Sequence, residues 1–172
     1  LTRTPAANGN RRTWTMSYWV KYSNLIDHRT HFGGSLSGSA SIGVMVQFDG
    51  GTRQLLVVDY RAGYQVDWSA KSNAGFRDPS AWYHIVIAVD TTQGTDTNRV
   101  KLYANGELLT LGTYNAPSEN FETKINQNNL QIIGGNFDNE VAGNFFGGYL
   151  AEMHFIDGQQ LTPSSFGETG DY

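Results

Sequence analysis

The chain has 172 residues and a formal net charge of −4, which fits a single domain, 1–172, long enough to bury a core. Its 12 basic residues are scattered, whereas a nucleic-acid surface needs a basic stripe, so we expect no nucleic-acid partner. The absence of cysteine excludes disulfides, thiolate metal sites and cysteine nucleophiles, and no apolar run is long enough to span a membrane, so we expect no membrane insertion.

The first predicted strand lies within RRTWTMSYWVKYS, residues 11–23, and carries two tryptophans an odd number of positions apart. Side chains alternate between the faces of a strand, so Trp14 and Trp19 point in opposite directions. Trp14 belongs to an apolar row that predicts core, whereas Trp19 lies among hydroxyls and a lysine and needs a cover. We expect that cover to be the glycine-rich segment HFGGSLSGS or a neighbouring subunit, ahead of a stacked sugar.

A glycine- and serine-rich stretch, HFGGSLSGSAS, follows and predicts a loop, in which His31 would be solvated. The runs IGVMVQF, RQLLVVDY and YQVDW come next, separated by short glycine turns. These three runs predict a meander of antiparallel strands.

Residues 82–90, WYHIVIAVD, are apolar on both faces and predict a strand that is covered on both sides, with His84 as a hydrogen-bonded core histidine. The Asn105-Gly106 pair between two apolar runs predicts a tight hairpin, because a type I′ turn needs positive φ at both central residues.

NNLQIIGG and GGYLAEMHFIDG predict two late strands, and LTPSSFG predicts a short helical turn near 162–166 with Thr162 as the N-cap. Roughly nine or ten strands joined by hairpins, without long helices, predict an all-β fold, an antiparallel two-sheet sandwich.

Three segments together resemble a known family: residues 1–23, residues 75–109 with the WYH and LYANGE motifs, and residues 147–168 with FIDGQQLTPSSFGE. Their order and spacing resemble the laminin G-like, concanavalin A-like domains of tail and virion proteins of marine bacteriophages. The resemblance implies a jelly-roll, lectin-like sandwich in a virion structural protein, and a chain that is part of a longer protein.

The laminarinase-type hydrolases of this fold place paired carboxylates two residues apart on one strand, because a retaining mechanism needs two carboxyl groups close together. Here Glu152 and Asp157 are five apart and on opposite faces of the predicted strand. We therefore predict that the domain is not an enzyme.

Two clusters of oxygen-bearing residues suit calcium, the metal that laminin G-like domains often hold. The first is in residues 134–144 and the second comprises Asp90 and Asp96. Neither matches a fixed calcium-loop motif, and ordinary turns have the same composition, so a calcium site and plain turns both remain open. The first cluster contains Asn136, Asp138, Asn139 and Glu140.

A sugar site combines an exposed aromatic platform with amide and carboxylate groups. Tyr60, Tyr64 and Trp68 alternate in step and predict such a platform, with Asn136, Asp138 and Asn139 of the NFDNE loop beside it. The alternative is that these rings belong to the core.

We therefore predict a non-enzymatic lectin-like domain at the virion surface that binds host-surface glycans or other surface molecules, and expect it to form a homo-oligomer. The alternative is a structural or decoration module that contacts other virion subunits without binding sugar.

Overall fold

The computed structural model describes residues 1–23, 30–35, 42–138 and 141–167. Within these ranges the strands are β1 (Thr2–Arg3), β2 (Thr13–Tyr22), β3 (Thr30–Ser35), β4 (Ile42–Phe48), β5 (Gln54–Arg61), β6 (Gln65–Gly75), β7 (Tyr83–Asp90), β8 (Val100–Ala104), β9 (Glu107–Leu108), β10 (Leu111–Asn115), β11 (Gln131–Ile133), β12 (Asn136–Asp138), β13 (Val141–Gly143) and β14 (Gly148–Asp157). Two 3₁₀ turns, Asp96–Asn98 and Pro163–Ser165, are the helical elements of these ranges.

The strands form two packed antiparallel sheets, which confirms the predicted all-β sandwich. The seven-stranded sheet has the order β1-β11-β3-β4-β5-β6-β10, and the five-stranded sheet has the order β14-β2-β7-β8-β9. β12 and β13 form a separate hairpin against β3. The Asn105-Gly106 turn joins β8 to β9 with φ values of 50° and 87°, and the helical turn at Pro163–Ser165 follows Thr162, both as predicted.

The glycine-rich stretch is not a loop where the structure describes it, because residues 30–35 form β3. Gly33 faces the β12–β13 hairpin so closely that a Cβ there would lie 2.7 Å from the Cα of Asn136. The glycine therefore permits close packing of two backbones. His31 is likewise fully buried rather than solvated, and its Nδ1 lies 2.8 Å from the hydroxyl of Tyr18.

The core lies between the two sheets and is built from alternate residues of each strand. On β2 the inward row is the one that the sequence predicts, and the Trp14 indole donates a 3.0 Å hydrogen bond to Thr123 Oγ1. This row consists of Trp14, Met16, Tyr18, Val20 and Tyr22, all fully buried.

A buried ion pair lies at one end of the sandwich. Lys124 Nζ is 2.9 Å from Asp59 Oδ1 and also pairs with Asp67, while the Lys124 backbone N–H donates to Asp59 Oδ2 over 2.7 Å. Burial raises the pKa of Asp59 to about 6, although the charge of Lys124 opposes this shift. The lysine thus partly compensates a carboxylate that has no access to solvent.

Residues 159–166, which we call the C-terminal strap, cover half of the outer face of the five-stranded sheet. Thr15 Oγ1 donates to the carbonyl of Gln159 over 2.7 Å and accepts from the N–H of Leu161 over 2.8 Å. Phe166 packs against the apolar cluster of β7 and β8, which consists of Val86, Ala88 and Tyr103. β7 is therefore covered on both sides, as its sequence predicts.

Candidate functional site

The three rings of the predicted platform do not share a face. Trp68 is fully buried in the core, whereas Tyr60 packs on the outer side of the seven-stranded sheet against Met45 and Val58. β6 has one extra residue, Asp67, opposite the Asp59–Tyr60 step, and this bulge changes which face each later residue occupies. The predicted platform is thus wrong for Trp68.

Tyr64 lies in the turn between β5 and β6, with φ of 59° and 47% of its surface exposed. It is thus open to solvent, whereas Trp68 is buried in the core.

Of the predicted polar neighbours, Asn136 lies on the same side of the seven-stranded sheet as Met45 and Tyr60. Asn136 is buried: its Oδ1 accepts a 2.9 Å hydrogen bond from Asn144, and its Nδ2 lies 3.3 Å from Met45 Sδ. Its amide therefore holds the β12–β13 hairpin against the sheet. Asp138 ends β12 and pairs through its backbone with Val141, while Asn139 and Glu140 lie outside the described residues.

At the second predicted calcium position the chain itself engages the carboxylate of Asp90, while Asp96 lies exposed at the start of the first 3₁₀ turn. Asp90 accepts hydrogen bonds from the Thr92 hydroxyl and the Gln93 amide, both at 2.6 Å. Burial raises its pKa, but these hydrogen bonds outweigh burial and hold the pKa below its ordinary value. In the part of the chain that the structure describes, no group of three or more His, Asp or Glu residues is arranged to hold a metal.

Arg99 supplies positive charge to the same loop. Its guanidinium donates to the carbonyl oxygens of Gln93 at 2.7 Å, Gly94 at 3.1 Å and Pro117 at 2.9 Å. Loop carbonyls that would suit a bound cation are thus already satisfied by a side chain.

The open half of the outer face of the five-stranded sheet carries exposed aromatic rings. Trp19 is 37% exposed and stacks on His84, with ring centroids 5.0 Å apart and planes inclined by 28°. The described part of the glycine-rich segment predicted to cover Trp19 does not do so, because residues 31–35 belong to β3 in the other sheet. A neighbouring subunit as the cover stays a prediction. Residues 36–39 of that segment lie outside the described ranges.

A second pair of rings lies next to the first. Trp82 is 41% exposed and Tyr149 is 60% exposed, and their ring centroids are 6.3 Å apart. Lys21 pairs with Tyr149 across β2 and β14, and the neighbouring Val20–Tyr83 pair places Trp82 on its other side. We call the surface formed by Trp19, Lys21, Trp82, His84 and Tyr149 the aromatic face.

The aromatic face ends where the strap begins. His84 Nε2 lies 2.9 Å from Ser17 Oγ, and the His84 ring meets Phe166 edge-on at 6.5 Å. Burial lowers the pKa of His84, and the charge of Glu152 partly opposes this shift. Because Ser17 is only 1% exposed, the Ser17–His84 pair cannot present a nucleophile to a substrate.

The sequence contained a signal for this surface that the platform hypothesis did not use. Alternation had already placed Trp19 on the outer side of β2, and Trp82 on the same side of its strand as His84. Trp19 and Trp82 come to lie on one surface because β2 pairs with β7 and β14, and alternation alone does not specify this pairing.

The described residues contain no helix long and apolar enough to cross a bilayer.

The two carboxylates considered for hydrolysis lie in different local settings. Asp157 accepts hydrogen bonds from Asn10 N–H at 2.7 Å and Asn126 Nδ2 at 2.9 Å, while Glu152 lies on a bulge with φ of 48°.

A family model described as "Concanavalin A-like lectin/glucanases superfamily" matches residues 2–165. A comparison with curated proteins finds no match.

Solved structures share this fold at low sequence identity. The sialidase module CBM40 of Ruminococcus gnavus, solved with α2,3 sialyllactose, is 15% identical with a TM-score of 0.64, covering 96% of this chain and 95% of that one. Domain 4 of an extracellular arabinanase from Geobacillus stearothermophilus, solved with arabinotriose, is 21% identical with a TM-score of 0.60, covering 92% and 66%. Domains LG4-5 of the mouse laminin α1 chain are 12% identical with a TM-score of 0.59, covering 92% and 40%.

Proposed function

Since the chain belongs to the concanavalin A-like lectin/glucanase superfamily, we propose that it is a non-enzymatic glycan-binding domain and that the aromatic face is its binding surface. One observation carries the proposal: Trp19, Trp82 and Tyr149 are exposed together on one half of a sheet face whose other half is covered by the strap. Large apolar side chains grouped at the surface mark interaction sites more often than singly scattered ones do.

The chemistry of the aromatic face suits sugars. The C–H faces of a pyranose ring pack on aromatic rings, while its hydroxyl groups need directional hydrogen bonds. Lys21 lies between Trp82 and Tyr149, and Asn105 lies beside His84, whose N–H it accepts over 2.9 Å. Apolar rings with a few polar groups between them are the usual composition of a small-ligand site.

The proposed domain binds glycans without catalysing a reaction on them. Ser17, the hydroxyl beside His84, is shielded from solvent, and Asp157 is held by Asn10 and Asn126 in a structural role. The aromatic face itself contributes rings, an ammonium group and a largely neutral histidine, which bind and orient but do not supply an acid–base pair.

We further propose that the domain acts at the surface of a bacteriophage virion and binds host glycans during attachment. The support is the resemblance of residues 1–23, 75–109 and 147–168 to phage virion domains. Many copies on one particle would convert weak individual contacts into strong attachment through avidity.

The test is glycan binding by the domain displayed multivalently, compared with Trp82→Ala and Tyr149→Ala. We expect each substitution to weaken binding by at least about tenfold, because stacked rings carry much of the energy of such sites. Tyr64→Ala, which removes an exposed ring from the other sheet, is the matched control and should bind as the wild type does. Loss of binding in Tyr64→Ala alone would move the site to the seven-stranded sheet.

A second function, a structural module that binds other virion subunits or a second copy, is favoured by a different region. An apolar cleft of about 550 Å³ opens between the sheets beside β14, which is an edge strand of the five-stranded sheet. Met16, Phe32 and Phe155 are among the residues that line it. If light scattering showed an oligomer that Phe155→Glu dissociates, while no glycan bound, this module would replace the lectin.

A further inference from the structure

The aromatic face is arranged as two rows that follow one another along β2. In the first row Trp19 lies between Ala151 of β14 and His84 of β7. In the second row Lys21 lies between Tyr149 and Trp82. Residues two apart on a strand are separated by about 7 Å, so the rows present two ring surfaces spaced along the strand direction.

The two ends of the aromatic face along β2 have different surroundings. Beyond the Trp19 row lies the strap, which covers Ser17 and Val86 and brings Phe166 against the edge of the His84 ring. Beyond the Lys21 row the backbone of Ser23 meets Gly147, whose carbonyl accepts from both the N–H and the hydroxyl of Ser23 at about 3 Å. A ligand lying along β2 is therefore stopped at the strap and unobstructed by it at the other end.

From this arrangement we propose that the aromatic face binds the end of a linear oligosaccharide, with the terminal sugar on Trp19 against the strap and the next sugar on Trp82 and Tyr149. This inference rests on the proposed glycan-binding function and adds to it the class of ligand, a chain end of at least two sugars. A single sugar would use only one of the two rows. A longer chain would gain no further ring from the aromatic face, which ends with the second row.

Lys21 is the polar group between the two sugars. Its side chain is half-buried beside Tyr149, and its charge lowers the pKa of Asp78 to a small extent, after the larger effect of hydrogen bonds from Ser80. In the proposed complex its ammonium donates to hydroxyl or ring oxygens of the second sugar.

The experiment measures affinity against chain length by calorimetry with three probe series of one, two and three sugars: glucose, cellobiose and cellotriose; arabinose, arabinobiose and arabinotriose; N-acetylneuraminic acid, its α2,3-linked disaccharide with galactose, and α2,3-sialyllactose. For the series that binds, we expect affinity to rise at least about tenfold from one sugar to two and to change little beyond that. Trp82→Ala should reduce the affinity of the longer probe to that of the single sugar, without changing the single sugar's own affinity.

A second pair of variants tests the polar group. Lys21→Met keeps the aliphatic stem and should weaken the longer probe about fivefold, the equivalent of one net hydrogen bond. Lys101→Met, on the same face but beside the strap-covered residue Ala88, is the control and should have no effect.

The outcomes separate this inference from the proposed function. Binding that depends on Trp19 and Trp82 but not on chain length would overturn the two-sugar inference and leave glycan binding intact. Failure of every probe to bind, or binding unaffected by all ring substitutions, would overturn both.

Discussion

Tyr18 and Trp19 are adjacent in the chain and belong to two aromatic regions that behave differently. Tyr18 enters an interior aromatic cluster on the core side of β2, whereas Trp19 enters the aromatic face on the other side. The interior rings pack edge-on or tilted with centroids 4.5–6.2 Å apart, and all of them except the partly buried Phe146 are withdrawn from solvent. The interior aromatic cluster consists of Tyr18, Tyr22, His31, Phe48 and Phe146.

Whether an aromatic residue serves the core or is accessible to a ligand depends on what packs over it. A second sheet covers the interior aromatic cluster, and the strap covers half of the outer face. The aromatic face is the part that neither layer reaches. Substitutions in the two regions should therefore affect different properties, stability in one and binding in the other.

The largest expected difference is between two tryptophans of the same strand. Trp14→Ala should lower the free energy of unfolding by about 3–5 kcal/mol, because it leaves a cavity in the core and removes the partner of Thr123. Trp19→Ala should cost about 1–2 kcal/mol, because more than a third of its surface is already in water and its loss leaves no closed cavity. Urea unfolding of both variants measures this, and equal losses would contradict the assignment of the two faces.

The next effect concerns the pH dependence of the interior. Burial lowers the pKa of His31 from 6.5 to about 3, so its contribution to stability is complete above pH 6.5 and is lost as the pH falls towards 3. The slope amounts to about 1.4 kcal/mol per pH unit, because the unfolded chain binds a proton that the folded chain does not. His31→Phe keeps an aromatic ring beside Phe48 and Phe146 and should remove this loss of stability.

Asp59 changes stability with pH in the sense opposite to His31 and therefore serves as its control. Its pKa is raised to about 6 from 3.8, so its contribution is complete below pH 3.8 and is lost as the pH rises through 6. Between pH 4 and 6 the two groups oppose one another. His31→Phe should therefore unfold less readily on acidification than the wild type, and Asp59→Asn more readily; parallel curves for both variants would refute the assignment.

The smallest effect tests the boundary between covered and open surface. Thr15→Val removes the hydroxyl that holds Gln159 and Leu161, so we expect a loss of about 1–2 kcal/mol and earlier proteolytic cleavage within the strap. Thr113→Val, on the exposed side of β10, is the control and should change neither property. An intact strap in Thr15→Val would show that Phe166 packing alone retains it.

Several elements followed from local sequence rules. The inward row of β2, the Asn105-Gly106 turn and the two-sided burial of β7 all follow from alternation or turn chemistry, which depend on neighbouring residues only. The order of motifs along the chain also pointed to the superfamily that the family model then matched.

Other elements were wrong because distant residues decide them. The composition of β3 is typical of a loop. Its Gly33 is instead required because the β12–β13 hairpin packs closely against it, and that hairpin is about a hundred residues away in the chain. The platform hypothesis placed Trp68 on a surface with the core as the alternative, and the bulge at Asp67, which an alternating pattern does not reveal, puts it in the core.

The class of fold, the hairpins and the side of β2 that each tryptophan takes can be read from the chain alone, since they depend on the period of the strand and on local backbone preferences. The tertiary structure decided which apolar surface stays open. That outcome depends on the pairing of β2 with β7 and β14 and on the strap, both of which join residues far apart in the chain. Only folding therefore brings Trp19, Trp82 and Tyr149 onto one face and leaves them uncovered.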